Sequence, residues 1–305
     1  MDISLGDVKA FREVARQGTV SAASRCLSVS QPSLSWTIKK LEEDLGTPLF
    51  LRSNKGVALT RAGKIFYERS GELERNWEDL KDVILSESGE VRGSYVLGVY
   101  GTMAGFTLPQ FCGRLLSDYP NLELRLVHDL SRQIAEGVIN YEIDFGIVVN
   151  PPRHPDLTIL ELYRDEVKFW IKKNPSPLQD AANPNSLLVL NREMRQSSWL
   201  VREATRSGLI NSGRTLYTTD LTLIRSLVAA GTGIGLIPRT IALSQPEDEL
   251  VCLPGGPVQN DMICLIYRGE ARKTRAGQVI KDIIVESLRQ DLGQLAEKNE
   301  TAKTP

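Results

Sequence analysis

The segment from Thr19 to Thr60, TVSAASRCLSVSQPSLSWTIKKLEEDLGTPLFLRSNKGVALT, constrains this chain more than any other stretch. Ser21-Ala22-Ala23-Ser24-Arg25 opens a helix of small residues, and Leu27 and Val29 flank a tight turn. A second helix starts at Ser30-Gln31-Pro32-Ser33, with Leu34, Ile38, Leu41 and Leu45 at helical spacing on one face. Proline suits a first helical turn, where its missing N–H has no partner to lose and its fixed φ is already helical. Small alanines on the first helix permit the close crossing that sets a second helix into a DNA major groove. Gly46-Thr47-Pro48 ends the pattern, and residues 49–52 and 56–59 read as two short strands joined at Ser53-Asn54-Lys55. The whole predicts a helix-turn-helix with a wing, whose Arg52 and Lys55 can reach the DNA backbone or minor groove.

Charge alone points to no polyanion, because the net charge of the 305 residues is -1. A small reading head can be diluted by a larger neutral body, and Lys9, Arg12, Arg16, Arg25, Lys39, Lys40, Arg52, Lys55, Arg61 and Lys64 all fall in the first 64 residues. Any one of them reads equally well as a solvated helix face; as a set around a reading helix they suit phosphates. Cys26, Cys112, Cys252 and Cys264 have neither C-x-x-C nor paired-histidine spacing, which argues against structural zinc, and their apolar settings predict buried thiols. No metal or other cofactor is expected. The segment MDISLGDVKAF lacks a basic then apolar leader pattern, and no apolar run approaches the ~20 residues of a membrane span. The expectation is a soluble cytoplasmic protein.

The remaining chain divides by pattern. A first helix is predicted over 4–17. A further helical pattern runs from about 60 to 88 without proline, carrying Phe66, Leu73 and Leu80 seven apart, with Ser70, Trp77 and Ile84 four after each. Such a seam argues for helix pairing, with packing onto its own domain as the weaker reading. We assign Phe66, Leu73, Trp77, Leu80 and Ile84 to dimerisation. Beyond 89 the chain alternates: strands at 94–99, 122–127 and 145–149, helices at 107–117 and 131–140, implying a parallel sheet covered on both faces. A second unit has strands at 167–171 and 199–201, a helix at 221–230 capped by Asp220, and a late strand at 263–267. A helix at 279–288 returns to the first unit. The predicted division is 1–60 reading head, 61–88 linker helix and 89–295 effector region, with a disordered tail at 296–305. Within the effector region, subdomain I takes 91–161 and 268–290, and subdomain II takes 162–267.

These residues resemble LysR-type transcriptional regulators. The marks are Ala22-Ala23, Ser30-Gln31-Pro32-Ser33-Leu34-Ser35, Leu41-Glu42, Leu45-Gly46, Leu49-Phe50, Arg52 and Leu59-Thr60-Arg61-Ala62-Gly63, then Val228 through Pro238 as a glycine-rich helix-to-strand turn. The resemblance implies a winged helix-turn-helix, a linker helix and an α/β effector region of periplasmic-binding-protein type. It places Gln31, Pro32 and Ser33 where a recognition helix enters the major groove. Gln31 suits a bidentate bond to adenine, and Ser33 suits base or phosphate. Ser30, Lys39, Arg52, Thr60 and Arg61 then hold phosphates. Trp36 departs from the smaller or polar residue common there; core packing is favoured over shielding a thymine methyl. The resemblance also implies an effector site between the two α/β units. It is formed by Tyr100, Thr102, His128, Ser131, Val149 and Asn150 from one unit, and by loop residues Arg202, Thr205 and Thr219 from the other. Tyr100 and His128 depart from the usual small hydroxyl and acidic-glycine residues and alter the pocket. The partners implied are double-stranded DNA with an interrupted palindromic operator, an unidentified small-molecule effector, further copies as homodimer and homotetramer, and RNA polymerase, with no membrane.

Two other readings compete. An α/β enzyme is disfavoured: Gly231-Thr232-Gly233-Ile234-Gly235 follows a helix and precedes a strand, the reverse of a dinucleotide turn, and reads as a helix cap. Neither G-x-S-x-G nor H-E-x-x-H occurs, and the two histidines, His128 and His154, read as a ligand or loop residue and an exposed connection. An architectural DNA-binding protein without effector is disfavoured because bending DNA needs no second, cleft-forming body.

Overall fold

The computed structural model describes residues 3–53, 56–85, 90–194, 196–245 and 249–300. Three helices and a two-stranded wing form the head: α1 (Leu5–Gln17), α2 (Val20–Cys26), α3 (Gln31–Leu45), β1 (Phe50–Ser53) and β2 (Gly56–Leu59). Each helix starts where a hydroxyl can satisfy a free N–H. Ser4 accepts from Asp7 in a reciprocal capping box, Thr19 accepts from Ala22, and Ser30 accepts from Ser33. The apolar face of α3 closes on α1 through Phe11, Val14, Leu34, Ile38 and Leu41, all essentially buried. Glu42 ties α3 to the wing by accepting from the N–H groups of Leu49 and Phe50.

The linker helix α4 (Arg61–Leu85) has 25 residues, a length of about 37 Å at the usual rise. Its first turns belong to the head: the Phe66 ring packs edge-on to Phe11 at 4.9 Å. Phe66 is therefore removed from the pairing seam, because at that point the helix is still covered by its own domain. Leu73, Trp77, Leu80 and Ile84 stay exposed, between 47% and 61%.

In the body, β3 (Gly93–Tyr100), α5 (Gly101–Asp118), β4 (Leu122–Asp129), α6 (Ser131–Ile139) and β5 (Phe145–Val149) form the expected unit, with β3 parallel to both β4 and β5. Helix α5 starts six residues before the expected 107, since Pro109 sits inside it rather than at its border. The second unit contains β7 (Leu187–Leu190), α7 (Ser197–Arg206), β8 (Arg214–Tyr217), α8 (Leu221–Ala229), β9 (Ile234–Pro238), α9 (Arg239–Ala242) and β10 (Leu250–Cys252). Residues 199–201 are helical, not a strand. Trp199-Leu200-Val201 is a β-prone triplet, but Leu200 and Ala204 are buried four apart, and that helical period wins over local propensity.

The two units share two long antiparallel strands, β6 (Thr158–Lys172) and β11 (Gln259–Tyr267), so the sheet is mixed and continuous rather than two parallel sheets. Its order is β4-β3-β5-β11-β6-β9-β7-β8, with β10 added to β6. Ile263–Tyr267 pair with β5 and fill the first unit's core, which moves the unit boundary into β11 instead of after 267. The last helix, α10 (Arg275–Glu300), returns to that core through Ile280, Ile283, Ile284 and Leu288. It extends past the start of the expected tail at 296; residues 301–305 lie outside the described set.

Cys264 is buried and Cys112 half-buried, but Cys26 and Cys252 are exposed, against the expectation of four buried thiols. Cys26 ends a short helix and Cys252 lies on the short outer strand β10, so an apolar sequence neighbourhood did not translate into cover. Among the described residues no group of histidines, cysteines and carboxylates could hold a metal, and no helix is long and apolar enough to cross a membrane.

Candidate functional site

The outward face of α3 is built by the same period that buries its back. With Leu34, Ile38 and Leu41 turned inward, Gln31, Pro32, Ser33, Trp36 and Lys39 are left exposed on the other side. Ser30 is the N-cap, so its oxygen is committed to the Ser33 N–H at 3.2 Å while its hydroxyl hydrogen remains to donate. Lys39 lies 3.6 Å from Glu43 and is 72% exposed in its side chain, an ion pair loose enough to exchange for a phosphate. Arg52, on β1 beside the helix, stands 3.7 Å from Glu42. Arg61 is exposed at the start of α4. Lys55 lies outside the described residues.

Two expectations change here. Trp36 is 64% exposed, so it does not pack in the core; Lys40 stands 5.6 Å from its ring centroid. The helical period that buries positions 34, 38 and 41 places 36 on the outer face. Thr60 is a cap rather than a phosphate holder: its hydroxyl donates to Pro48 O at 2.8 Å and accepts from Gly63 N at 2.9 Å, which spends its donor.

The body's candidate cleft lies where β3, β5, β6 and β11 bring strand ends and helix starts together. Tyr100 ends β3 and Thr102 begins α5. Ser131, opening α6, accepts from Val149 N at 3.0 Å and so ties two of the expected residues to each other. Asn150 follows β5 with φ 48°, and this left-handed turn aims its amide at β11: Nδ2 donates to Asp261 at 2.8 Å, and Oδ1 accepts from Met262 N at 2.9 Å. Asp261 in turn accepts from Gln196 Nε2 at 2.8 Å, which links the start of α7 in the second unit to Asn150 in the first. Burial pushes the Asp261 carboxyl above its ordinary range, while the two amide donors pull it back. Burial likewise raises the Tyr100 phenol. Directly across the ladder from Asp261 lies Asp165, whose carboxyl is pushed up to about 6 by burial even though it accepts from Thr240 N.

His128 is exposed on β4, and Thr219 lies in the loop before α8, where its carbonyl accepts from Asn191 Nδ2. Arg202 and Thr205 are not loop residues. They lie on α7, six and nine residues past Gln196, so about 9 and 13 Å along the helix from the end that meets the cleft. Gln196, Asp261 and Asp165, which stand together at the candidate cleft, were not read from the sequence. The signal for Asp261 was a charged residue at the head of an apolar strand, hidden when that strand is started at 263. Gly231, at φ 78°, closes α8 with the Thr232 N–H returned to Leu227 O, which is the helix cap expected from the sequence and no phosphate loop.

Comparison with known proteins follows the same division. Residues 5–64 match the description "Bacterial regulatory helix-turn-helix protein, lysR family", and residues 88–289 match "LysR substrate binding domain". The chain is 29% identical over 252 residues to the HTH-type transcriptional regulator GltR of Bacillus subtilis, covering 81% of this chain and 83% of that protein. It is 30% identical over 240 residues to the HTH-type transcriptional regulator CzcR of Bacillus thuringiensis, covering 78% and 81%. Among solved structures, a full-length OxyR from Pseudomonas aeruginosa superposes with TM-score 0.68 at 19% identity over 95% of both chains, a likeness of fold.

Proposed function

From its membership of the LysR family of transcriptional regulators, we propose how this chain divides the work of a DNA-binding, effector-switched regulator among its own residues. Gln31 and Ser33, at the exposed start of α3, read base edges in the major groove. Trp36 stands one turn on and covers a thymine methyl, an apolar contact of the kind that distinguishes thymine. Ser30, Lys39, Arg52, Lys55 and Arg61 hold phosphates and fix the register. The single observation behind this reading is the polarity of α3, whose inner face is fully used by the head and whose outer face carries donors, a proline and an indole without cover.

The seam at Leu73, Trp77, Leu80 and Ile84 joins two chains, so that two heads meet the halves of an interrupted palindrome. Two such dimers form a tetramer on a promoter, where RNA polymerase is the further partner. The place of action is the cytoplasm, with the chromosome. The effector enters between the two units, against Tyr100, Thr102, Asn150 and the Asp261–Gln196 link. Closing or opening that link changes the angle between the units, and an effector shifts the angle only by its unequal affinity for the two arrangements. The family of the chain, transcriptional regulators in both matched regions, supports a regulator over an enzyme.

The test is a genomic binding map of the protein, followed by a thermal-shift screen of the metabolites belonging to the neighbouring genes. The expected result is a few discrete bound sites with dyad symmetry and at least one metabolite that raises the melting temperature. Uniform genome coverage with no stabilising metabolite would instead favour the architectural reading.

A further inference from the structure

Two carboxylates face each other where the sheet crosses from one unit to the other. Asp165 on β6 and Asp261 on β11 are directly paired in the antiparallel ladder, so their side chains leave the same face of the sheet side by side. Each residue is 6% exposed. Like charges directly opposite in a sheet repel, and burial strengthens the repulsion. An apolar pair at these positions would make the more stable sheet.

Nothing basic offsets the pair. Burial pushes the Asp165 carboxyl up to about 6 and raises that of Asp261 as well. Hydrogen bonds alone pull them back. Thr240 N donates to Asp165 at 3.2 Å, long for a bond to a carboxylate, and Asn150 and Gln196 donate to Asp261 at 2.8 Å. The basic neighbours of Asp165 on β6 are committed elsewhere: Arg164 pairs with Glu161 at 2.8 Å, and Lys168 with Glu166 at 2.7 Å. Among the described residues neither carboxylate has an ion-pair partner, Arg239 at the start of α9 included; Arg195 lies outside the described residues. The other groups nearby add negative charge or none. Burial raises the Tyr100 phenol, with Glu193 and Asp261 adding to the effect, and burial with Asp165 raises the Tyr163 phenol, so both stay neutral hydroxyls. Tyr163 shares a face of β6 with Asp165, two residues away. Its hydroxyl is buried without a hydrogen-bond partner among the described residues, as is Thr102 Oγ1 at the start of α5. Buried hydroxyls are nearly always bonded, so two of them beside a buried carboxylate pair mark a place shaped for a polar ligand.

We propose that the effector carries a protonated amine, bound by Asp165 and Asp261 with the Tyr163 hydroxyl as a further acceptor. This rests on the reading of the cleft as the effector site and adds the chemistry of the ligand. An ammonium group brings one positive charge and three donors, which two carboxylates and one free hydroxyl receive together. Without ligand, a proton on Asp165 relieves the pair; the ammonium takes its place and the proton leaves to solvent. Thr240 and Gln196 of the second unit and Asn150 of the first are bonded to these two carboxylates, so both units feel the charge being neutralised.

A simple alkylamine and an amino acid both present this group, and the test separates them. Full-length protein is screened by thermal shift at about pH 8, where carboxylates are ionised, against three probe sets. These are straight-chain monoamines and diamines, free amino acids, and nitrogen-free carboxylic acids of matching length. Calorimetric titration of the best binder at about pH 6, in two buffers of different ionisation enthalpy, then counts the protons exchanged. The expected result is stabilisation by amines or amino acids and none by the acids, with a response confined to amino acids assigning that source. Binding should release about half a proton at about pH 6, where Asp165 is half protonated, and affinity should fall about tenfold for each pH unit below that. Asp165→Asn keeps an acceptor for Thr240 N and removes the repulsion, so it should stay folded, bind at least about tenfold more weakly and release no proton. Should that variant fail to fold, Tyr163→Phe is expected to weaken binding several-fold with the proton release retained. Proton uptake on binding, unchanged amine affinity in Asp165→Asn, or silence from every amine and amino acid overturns the proposal. Acids that bind the parent and not Thr102→Val would overturn it while leaving the cleft as the effector site; silence from all three sets would go against that reading too.

Discussion

Replacing Leu73 and Leu80 together by aspartate tests the pairing of two linker helices. These side chains are 60% and 49% exposed in the single chain, so about half of the apolar gain available to each is unused. Full burial of a leucine contributes roughly 1.5–3 kcal/mol, which leaves about 1 kcal/mol per side chain. A two-fold seam uses each leucine twice, and four of them supply about 4 kcal/mol, or roughly a thousandfold in the dimer dissociation constant. Four carboxylates facing one another add repulsion, so a thousandfold is a lower bound. Sedimentation equilibrium over a concentration series measures the constant directly. Circular dichroism checks that the exposed changes leave the helix intact, since aspartate costs at most about 0.7 kcal/mol per helical position. The alanine pair removes area without adding charge and is expected to lie between parent and aspartate variant. An aspartate variant whose association constant stays within about tenfold of the parent's would refute this seam, because tenfold corresponds to only ~1.4 kcal/mol.

Other changes test the head and the candidate cleft. Gln31→Ala or Ser33→Ala should reduce discrimination between matched and mismatched operator by about 1–3 kcal/mol in competition anisotropy, with non-specific binding nearly unchanged; unaltered discrimination in both removes them from base reading. Trp36→Ala should leave stability within about 0.5 kcal/mol, as for other exposed positions, while weakening operator binding. A large fall in melting temperature would return Trp36 to a packing role. Asp165 titrates near 6 in the folded chain, above the ordinary carboxylate value, so the folded state holds its proton more tightly than the unfolded state does. Its contribution is therefore present below about pH 4 and lost as the pH rises through about 6, amounting to on the order of 3 kcal/mol. Asp165→Asn should shrink the difference in urea stability between those limits, and an unchanged difference would show that the carboxyl does not titrate there.

The head was legible because each of its devices is local. Ser4, Thr19 and Ser30 announce helix starts by their own hydroxyls, and the 34-38-41 period of α3 needs no knowledge of the rest of the chain. The same period, carried one step further, already places Trp36 outward; core packing was favoured for it, and the geometry overruled that. Phe66 failed for the opposite reason, since a seven-residue spacing cannot say whether the covering surface is a second chain or Phe11 of the same one. The body was legible where parallel strands are buried on both sides, as at 145–149, and opaque where strands are shared. Residues 158–166 of β6 alternate irregularly because one strand serves two cores, and β8 is exposed along its whole length and leaves no apolar pattern. Asp261 and Gln196 meet only through the crossing of β11 with α7, 65 residues apart, a relation that no local pattern carries. Arg12 belongs to the same class, read from sequence as one more basic residue near DNA and found in a buried contact 128 residues away.

The central claim is that this chain reads a split DNA site through α3 of two paired heads. In vitro selection of bound duplexes from a random library, carried out in parallel with the parent protein and the Gln31→Ala and Leu73→Asp/Leu80→Asp variants, tests it most directly. The account predicts that the parent enriches two half-sites related by a dyad at fixed spacing. Gln31→Ala should relax one position in each half, and the linker variant should lose the paired spacing. Enrichment of the same sequence by all three proteins, or of none by the parent, would contradict it.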